Sequence, residues 1–289
     1  MNKNLIVILL LSVLGFSLGA QNILLGGGPT MSTYFGDLAP YNLKRSFGQV
    51  NPGLGLYFTK RVLDPIYVKL DFEHSQVSAD DKDQTSDTRK ERNLSFRSPV
   101  TSLSGLVGLR IGLLKNRRAG ITGGVGIAGF YFDPHAQIDG NWVRLQPLRT
   151  EGQGLSGSTA KEYSLSQIAL SVQGGIFIRI TEKFYFDIEL TQYFTSTDYL
   201  DDVSGVYYDN DLLRQYRGDL AARLADRHTE LLPSGSPNFP AGTPRGNPTK
   251  NDQFAYLKFG ISIALDRKQG QVRNSNVKCP QISKDWFEK

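Results

Sequence analysis

Apolar and polar residues alternate with a period of two along much of the chain, which is the spacing of a β-strand. The segment Lys183 to Phe194 shows this pattern most clearly. One face of it carries Phe184, Phe186, Ile188 and Leu190, and the other carries Tyr185, Asp187, Glu189 and Thr191. A helix would bring Phe184, Asp187 and Ile188 to one side and blur the separation, so the pattern predicts a strand.

Seven further segments alternate in the same way. They are Ile23 to Phe35, Val50 to Thr59, Ile66 to Phe72, Leu103 to Leu113, Ile121 to Phe132, Ile168 to Ile180 and Phe254 to Leu265. Gly124 to Gly129, within one of them, matches the dinucleotide fingerprint G-x-G-x-x-G. No helix is predicted to follow it, so we interpret these glycines as strand residues. The pattern predicts about eight strands.

The connectors between these segments alternate in length. The short ones are Lys60 to Pro65, Lys115 to Gly120 and Thr181 to Lys183, and the long ones are Gly36 to Gln49, Ser78 to Asn93, Asp133 to Tyr163 and Thr197 to Asn251. Short turns on one rim and long loops on the other are typical of outer-membrane barrels with both termini in the periplasm. We therefore predict an all-β fold, an eight-stranded antiparallel transmembrane β-barrel with long extracellular loops. Apolar spacing across Asp211 to Thr229 predicts a short helix in the last loop.

A soluble lipocalin-like barrel has the same number of strands, but its apolar faces point inward. The charges on the polar faces and the strict alternation of connector lengths favour the membrane. The lumen then receives four bases and four acids, namely Lys69, Arg110, Arg179, Lys258, Asp71, Glu73, Asp187 and Glu189. Because unpaired charges are costly in so narrow a lumen, we predict a bonded network that fills and rigidifies the barrel. A small passive porin is the alternative.

The two ends of the chain do not fit the barrel pattern. Lys3, the apolar run Leu5 to Leu14 and the small residues before Gln21 have the order of a secretory signal peptide. The predicted organisation is a signal peptide at 1–20, an outer-membrane barrel at 21–266 and a periplasmic tail at 267–289. Cys279 is the only cysteine, so no intrachain disulfide can form. The net charge of +5 does not indicate nucleic acid, because export removes that partner.

Few residues suggest chemistry, and we assign no catalytic, cofactor-binding or metal-binding residue. His74 has outward parity near the loop rim, so a lipid-modifying barrel enzyme is an alternative function. Ser75 faces the opposite way, and the nucleophile would have to come from Ser95 or another serine on a neighbouring strand. Carboxylates in Thr197 to Asp211 leave calcium open, although turn formation and capping are favoured because the spacing is not that of an EF-hand.

Basic residues cluster on the rim predicted to be periplasmic. They are Lys60, Arg61, Lys115, Arg117, Arg118 and Lys183, and the tail adds Arg267 and Lys268. Positive charge at this position suits anionic lipid headgroups or an acidic partner. We predict that these residues contact a periplasmic partner.

Four segments also carry a family resemblance. They are Gly36-Asp37-Leu38-Ala39-Pro40, Thr197 to Gly205, Arg245-Gly246-Asn247-Pro248 and Asn251-Asp252. Together they resemble the PorG-like outer-membrane barrels of the type IX secretion system, over about Asn22 to Leu265. The resemblance implies a non-enzymatic membrane component that tethers or assembles a periplasmic ring built from the PorK lipoprotein and PorN. It implies that the chain is not itself the translocon, and we expect no cofactor.

Overall fold

The computed structural model describes residues 23–39, 49–84, 86–114, 117–233 and 236–265. The predicted signal peptide at 1–20 and the predicted tail at 267–289 lie outside these ranges. Ten strands are present in the described part of the chain. They are β1 (Ile23–Phe35), β2 (Asn51–Leu63), β3 (Ile66–Asp80), β4 (Ser95–Gly112), β5 (Ala119–Phe132), β6 (His135–Ile138), β7 (Asn141–Arg144), β8 (Ser166–Arg179), β9 (Phe184–Thr195) and β10 (Gln253–Ala264).

Eight of these strands close into an antiparallel barrel in the order β1-β2-β3-β4-β5-β8-β9-β10. Closure comes from β1 and β10, which pair from Leu24 opposite Ala264 to Phe35 opposite Gln253. No strand edge of this ring is left unpaired, which is how a barrel satisfies its backbone without water. The prediction of an eight-stranded antiparallel barrel is confirmed. The short β6–β7 hairpin stands in a long loop and was not predicted.

The side chains of the barrel are sorted inside out relative to a soluble protein. On β3 the odd-numbered positions Lys69, Asp71 and Glu73 point inward and are at most 3% exposed. The outer wall is apolar, and Leu54 on β2 and Ile127 on β5 are 67% and 69% exposed. Such a surface is stable only against hydrocarbon, so the chain is a membrane-spanning barrel of the outer-membrane type.

The connectors define two ends of the barrel. At the short-turn end, β2 and β3 are joined by Asp64 and Pro65 alone, and β4–β5 and β8–β9 are joined by 113–118 and 180–183. At the long-loop end, the connectors are 36–50, 81–94, 133–165 and 196–252. Among the described residues, no helix is long and apolar enough to cross a membrane.

Several predicted boundaries were wrong. β2 runs on to Leu63, so Lys60 and Arg61 lie in a strand and not in a turn. β3 and β4 extend well beyond their predicted ends, pairing as far as Asp80 opposite Ser95. In the last loop the single predicted helix is two helices, α2 (Asn210–Arg217) and α3 (Asp219–Ala225), because the chain turns at Gly218 with φ of 92°. A third helix, α1, spans Asp87–Lys90.

The upper lumen, next to the long loops, is filled by aromatic rings. Tyr193 and Phe254 stack with centroids 4.6 Å apart, and Phe130 meets Phe254 edge-on at 5.4 Å. These side chains lie on the inner faces of β9, β10 and β5 and are almost fully buried. The lumen is therefore apolar near the loops and charged in its middle.

Candidate functional site

Two ammonium groups and three carboxylates meet in the middle of the lumen. Lys258 Nζ lies 2.6 Å from Asp71 Oδ1, 2.9 Å from Glu73 Oε1 and 3.4 Å from Glu189 Oε2. Lys69 Nζ lies 3.0 Å from Asp71 Oδ2 and 2.5 Å from Glu189 Oε2. The pairing of β9 with β10 places Lys258 directly opposite Glu189. We call these five residues the lumen network.

Arg110 and Asp187 form a second pair, nearer the short-turn end. Arg110 Nη1 donates to Asp187 Oδ1 at 2.9 Å, and Asp187 Oδ2 accepts from the hydroxyls of Tyr57 and Ser262, both at 2.8 Å. Arg179, the eighth residue predicted for the lumen, lies still closer to the short turns and lines the cavity there. The structure thus brings seven of the eight predicted residues into two bonded groups.

The lumen network leaves almost no solvent in the middle of the barrel. Each of its five side chains is at most 4% exposed, and the stacked aromatic rings lie above it. Removing one member would leave an opposite charge buried without its partner, which is far more costly than a broken surface pair. Chemically, the arrangement rigidifies the wall and plugs the lumen, and it does not resemble the water-filled channel of a porin.

The long-loop end is covered by a packed cap, formed by residues 36–39, 81–84, 86–94, 133–165, 196–233 and 236–252. Arg245 lies at its centre and is 3% exposed. Its Nη1 donates to the Asp202 carbonyl at 2.6 Å and to Glu151 Oε1 at 3.1 Å, and its Nε donates to the Ala225 carbonyl at 3.2 Å. One guanidinium therefore joins three stretches of two long loops.

The segments that carry the family resemblance meet in this cap. The Asn247 backbone N–H donates to Asp37 Oδ2 at 2.7 Å, and the Leu200 N–H donates to Asp252 Oδ2 at 2.9 Å. Gly246 packs so tightly that a Cβ there would lie 2.3 Å from Asp37 Oδ2 and 2.5 Å from the Ser204 carbonyl. Only glycine permits this approach.

Two arginine–carboxylate pairs hold the cap together from other loops, and sequence reasoning missed them. Glu151 accepts from the backbone N–H groups of Ser204 at 2.9 Å and Gly205 at 3.2 Å, in addition to Arg245. Arg92 donates to the Arg245 carbonyl at 2.6 Å and to Asp81 Oδ1 at 2.7 Å. No local motif marks Glu151 or Arg92, because their partners lie far away in sequence.

Buried carboxyl groups crowd beneath the cap. Tyr34 Oη lies 2.7 Å from both Asp201 Oδ2 and Asp252 Oδ1, and one hydroxyl proton cannot serve both oxygens. Burial, reinforced by the neighbouring Asp37, raises the pKa of Asp201 well above its usual range, and burial with Asp201 nearby does the same to the pKa of Asp252. Burial also raises the pKa of Asp198 to about 8. The nearby carboxylates of Asp37 and Glu151 act in the same direction, and the hydroxyl of Ser204 acts to lower the pKa. Burial and crowding therefore favour the protonated form of these carboxyls.

The acidic loop does not form a recognisable metal site. Within the described residues, no three histidine, cysteine or acidic side chains are placed to hold a metal ion. Asp202 is instead engaged by the hydroxyls of Tyr163, at 2.6 Å, and Thr150. These two hydroxyls join Asp202 to another long loop, the one that runs from 133 to 165.

At the short-turn end, the predicted partner contacts form an exposed basic rim. Arg61, Arg117, Arg118 and Lys183 are exposed and Lys60 is half-buried. Arg117 Nη1 pairs with Asp64 Oδ2, which ties the β4–β5 turn to the β2–β3 turn. Lys115, Arg267 and Lys268 lie outside the described residues.

His74 lies on the outer surface of β3, as its parity predicts. Its Nδ1 is 2.8 Å from Thr101 Oγ1, on the facing position of β4. Ser75 points into the barrel and hydrogen-bonds to Ser32. Ser95 pairs with Asp80, six positions farther along the strand, so the suggestion that Ser95 serves His74 was wrong. A role for His74 in lipid chemistry stays an alternative prediction.

Comparison with known proteins gives matches at the level of solved structures. No family model matches the sequence, and no curated protein matches it. Ail, the attachment invasion locus protein of Yersinia pestis, is 10% identical over 84% of this chain and 97% of its own, with a TM-score of 0.40. OprG of Pseudomonas aeruginosa is 12% identical over 85% and 96%, with a TM-score of 0.38. Neisserial surface protein A is 8% identical over 84% and 96%, with a TM-score of 0.37. Similarity this low carries no argument about function.

Proposed function

We propose that this chain is an integral outer-membrane component of the type IX secretion system. In this role it anchors or assembles the periplasmic ring, whose partners are a PorK-like lipoprotein and a PorN-like protein. The observation that carries the proposal is the cap. The resembling segments at 36–39, 197–205, 245–248 and 251–252 are distant in sequence, yet hydrogen bonds join them to one another within the cap. A resemblance that coincides with one substructure is more specific than the alternation common to barrels.

The plugged lumen supports an anchoring role. The lumen network and the aromatic layer leave no described path for a polypeptide through the barrel, so protein export would have to use another component. What the barrel offers to partners is its two ends and its wall. This fits a component that holds a ring at the membrane.

The basic rim supports a partner at the short-turn end. In this proposal the short turns and both termini face the periplasm, and the exposed Arg117, Arg118 and Lys183 meet the ring. Exposed charge steers association and sets specificity more than it adds affinity. Reversing rim charges should therefore weaken capture of the ring without unfolding the barrel.

The test is affinity purification of the tagged full chain from detergent-solubilised envelopes, with mass spectrometry of the proteins that follow it. The rim variant combines Arg117→Glu and Arg118→Glu with deletion of residues 267–289. The matched control is Arg214→Glu with Arg223→Glu, two partly exposed arginines on the long-loop side. We expect ring proteins with the wild type and the control and a loss of at least fivefold with the rim variant.

Two outcomes would contradict the proposal at different levels. If the wild type brings down no ring protein, the assignment to this secretion system is wrong. If the rim variant retains the ring as the control does, the ring contacts another surface. The folded state of each variant is checked by the shift in gel mobility between unheated and heated samples, which reports an intact barrel.

A further inference from the structure

The outer wall of the barrel carries a groove of about 530 Å³ near the long-loop end. It crosses four neighbouring strands, β3, β4, β5 and β8. The groove follows one outward-facing row in which each residue lies opposite the next on the neighbouring strand, namely Phe72, Leu103, Gly129 and Ile168. We call it the wall groove. The proposed function uses the two ends of the barrel and makes no use of this groove.

Missing side chains open the wall groove. Gly129 lies between Leu103 and Ile168, two large apolar residues that are exposed on the wall. A Cβ added at Gly129 would meet no atom within 4 Å beyond its chain neighbours, and the same holds for Gly105, one row lower on β4. No close packing within the protein therefore requires glycine at these two positions. Their effect is to leave a hollow between bulky neighbours, which an outside ligand can fill.

The wall groove lies at the upper edge of the apolar band. The next outward-facing row toward the long loops is polar, and its members again lie opposite one another on the same four strands. They are His74, Thr101, Tyr131 and Ser166. Tyrosine and tryptophan concentrate where hydrocarbon gives way to lipid headgroups, and Tyr131 is exposed on this row. A ligand in the groove would therefore have its apolar part in the hydrocarbon and its polar part at the interface.

Two arginines lie beyond the polar row, on the side of the long loops. Arg97 lies on the outer face of β4 with its guanidinium 3.5 Å from the Trp142 ring centroid, and it forms no ion pair with any described residue. Arg144 Nε lies 2.8 Å from Asp133 Oδ2. Asp133 and, to a smaller extent, Tyr131 raise the pKa of Arg144, so its guanidinium lies near the top of the groove. Arginine binds phosphate through paired N–H donors, and phosphate is the headgroup that these side chains favour.

The position of the wall groove decides the kind of ligand. The wall contacts hydrocarbon, so a component of the membrane is what reaches it. Lipid tails are as apolar as the wall itself, and specific binding therefore depends on close packing and on polar contacts at the headgroup. A lipid that carries a phosphate meets both conditions, because its acyl chain fills the hollow and its phosphate lies at the level of the arginines.

We propose that the wall groove binds lipid A, the phosphorylated and acylated glycolipid of the outer leaflet, with one acyl chain over Gly129 and a phosphate against Arg97 and Arg144. With the long loops facing outward, the groove opens toward the outer leaflet, which is why the lipid is this one and not a phospholipid of the inner leaflet. This orientation is the one point that the proposal shares with the proposed function. Binding concerns the isolated barrel and does not depend on a ring or on the type IX system.

The test counts lipids bound to the refolded barrel in neutral detergent micelles by native mass spectrometry, as each lipid is titrated. The probes are lipid A, lipid A without its phosphates, and phosphatidylglycerol. The groove variant is Gly129→Leu, and its control is Gly174→Leu, because Gly174 is also exposed on the wall with nothing within 4 Å of an added Cβ. The headgroup variants are Arg97→Gln and Arg144→Gln. Their control is Arg214→Gln, because Arg214 is also paired with a carboxylate and is 43% exposed, against 49% for Arg144.

We expect lipid A to bind the wild type more tightly than either other lipid. Gly129→Leu should weaken lipid A about tenfold, because the leucine side chain occupies the hollow and removes the packing surface. Arg97→Gln and Arg144→Gln should each weaken it about fivefold, which is the usual contribution of one arginine to an anionic headgroup. Neither arginine variant should affect lipid A without phosphates. Gly174→Leu and Arg214→Gln should bind as the wild type does.

The proposal is overturned if phosphatidylglycerol binds as tightly as lipid A, or if Gly129→Leu weakens lipid A no more than Gly174→Leu does. Dimers of the wild type that Gly129→Leu abolishes would also overturn it, since the groove would then be an interface between two copies of the chain. Every variant is first shown to be folded by heat-modifiable gel mobility, and Gly129→Leu is expected to pass because its side chain points into open space. Failure of lipid binding would leave capture of the ring unchanged, and failure to capture the ring would leave lipid binding unchanged.

Discussion

Replacing Lys258 tests the lumen network most directly. Lys258 Nζ is within 2.9 Å of both Asp71 and Glu73 and is almost fully buried. Methionine has a similar length and is apolar, so Lys258→Met removes the charge with little change in volume. Asp71 would keep Lys69 at 3.0 Å, whereas Glu73 would lose the ion pair that holds it.

The magnitude follows from the charges that remain. The lumen network has two positive and three negative groups when all are ionised, and Lys258→Met leaves one against three. Breaking a buried ion pair by removing one partner costs about 3–5 kcal/mol. Glu73→Gln removes one of the stranded carboxylates, so Lys258→Met with Glu73→Gln should recover about 1–2 kcal/mol of that loss. Glu73→Gln alone should change stability by less than about 1 kcal/mol, because Lys258 keeps Asp71 and Glu189.

Urea unfolding of the refolded barrel in detergent micelles measures these differences. The folded fraction is read from gel mobility, and the free energy is extrapolated to zero urea. The control is Lys161→Met, which removes the same charge from an exposed loop position. If Lys258→Met unfolds within about 0.5 kcal/mol of this control, or if the double variant is no more stable than Lys258→Met, the network does not stabilise the barrel as argued.

Two further predictions concern the cap. Arg245→Ala should open the long loops, because Glu151 and the Asp202 carbonyl lose a buried donor. Limited proteolysis should then cut residues 197–252 at least tenfold faster while the barrel stays folded. Unchanged cleavage would refute the role of Arg245. The cap should also weaken as pH rises. The pKa of Asp198 is about 8 in the folded cap and returns to its ordinary value when the cap opens. The contribution of Asp198 to the stability of the cap is therefore fully present below about pH 4 and is lost progressively up to about pH 8. For this one group, the rate of proteolytic cleavage should rise by up to about tenfold per pH unit between pH 5 and 7. Asp198→Asn should remove this part of the pH dependence. If Asp198→Asn has the same pH dependence as the wild type, Asp198 stays ionised in the folded cap.

The barrel itself follows from local chemistry, which is why the sequence predicts it well. Side-chain direction alternates strictly along a strand, so the lipid-facing and lumen-facing sets of β3 and β9 could be read without knowing any partner strand. The missed part of β4 is instructive. At Ser95 to Ser102 the outward residues are Ser95, Arg97, Pro99 and Thr101. This part of the strand extends beyond the apolar band, so nothing requires its outer face to be hydrophobic, and the alternation that marks a membrane strand is absent.

The pairings inside the site needed the closed structure. Parity places Lys258 and Glu189 in the lumen, but the register of β9 against β10 sets them opposite each other, and only the closed barrel brings Asp71 of β3 to the same point. The cap is less predictable still. Arg245 and Glu151 are 94 positions apart, and Arg92 is 153 positions from Arg245. No local pattern encodes such contacts, so the sequence offered Arg245 only as part of a resemblance and did not mark Glu151 at all.

The arrangement along the barrel axis separates two surfaces that could each bind a partner. The cap closes the long-loop end, the basic rim occupies the short-turn end, and the lumen network lies between them with side chains at most 4% exposed. A tightly packed middle leaves no open path for a solute, and it gives neither end an evident means of altering the other. The two ends should therefore act independently. Arg245→Ala should leave capture of ring proteins through the basic rim unchanged, and the rim variant should leave the cap as resistant to protease as before. Coupling between these variants would mean that the middle of the barrel rearranges, and the role of the lumen network as a passive plug would have to be abandoned.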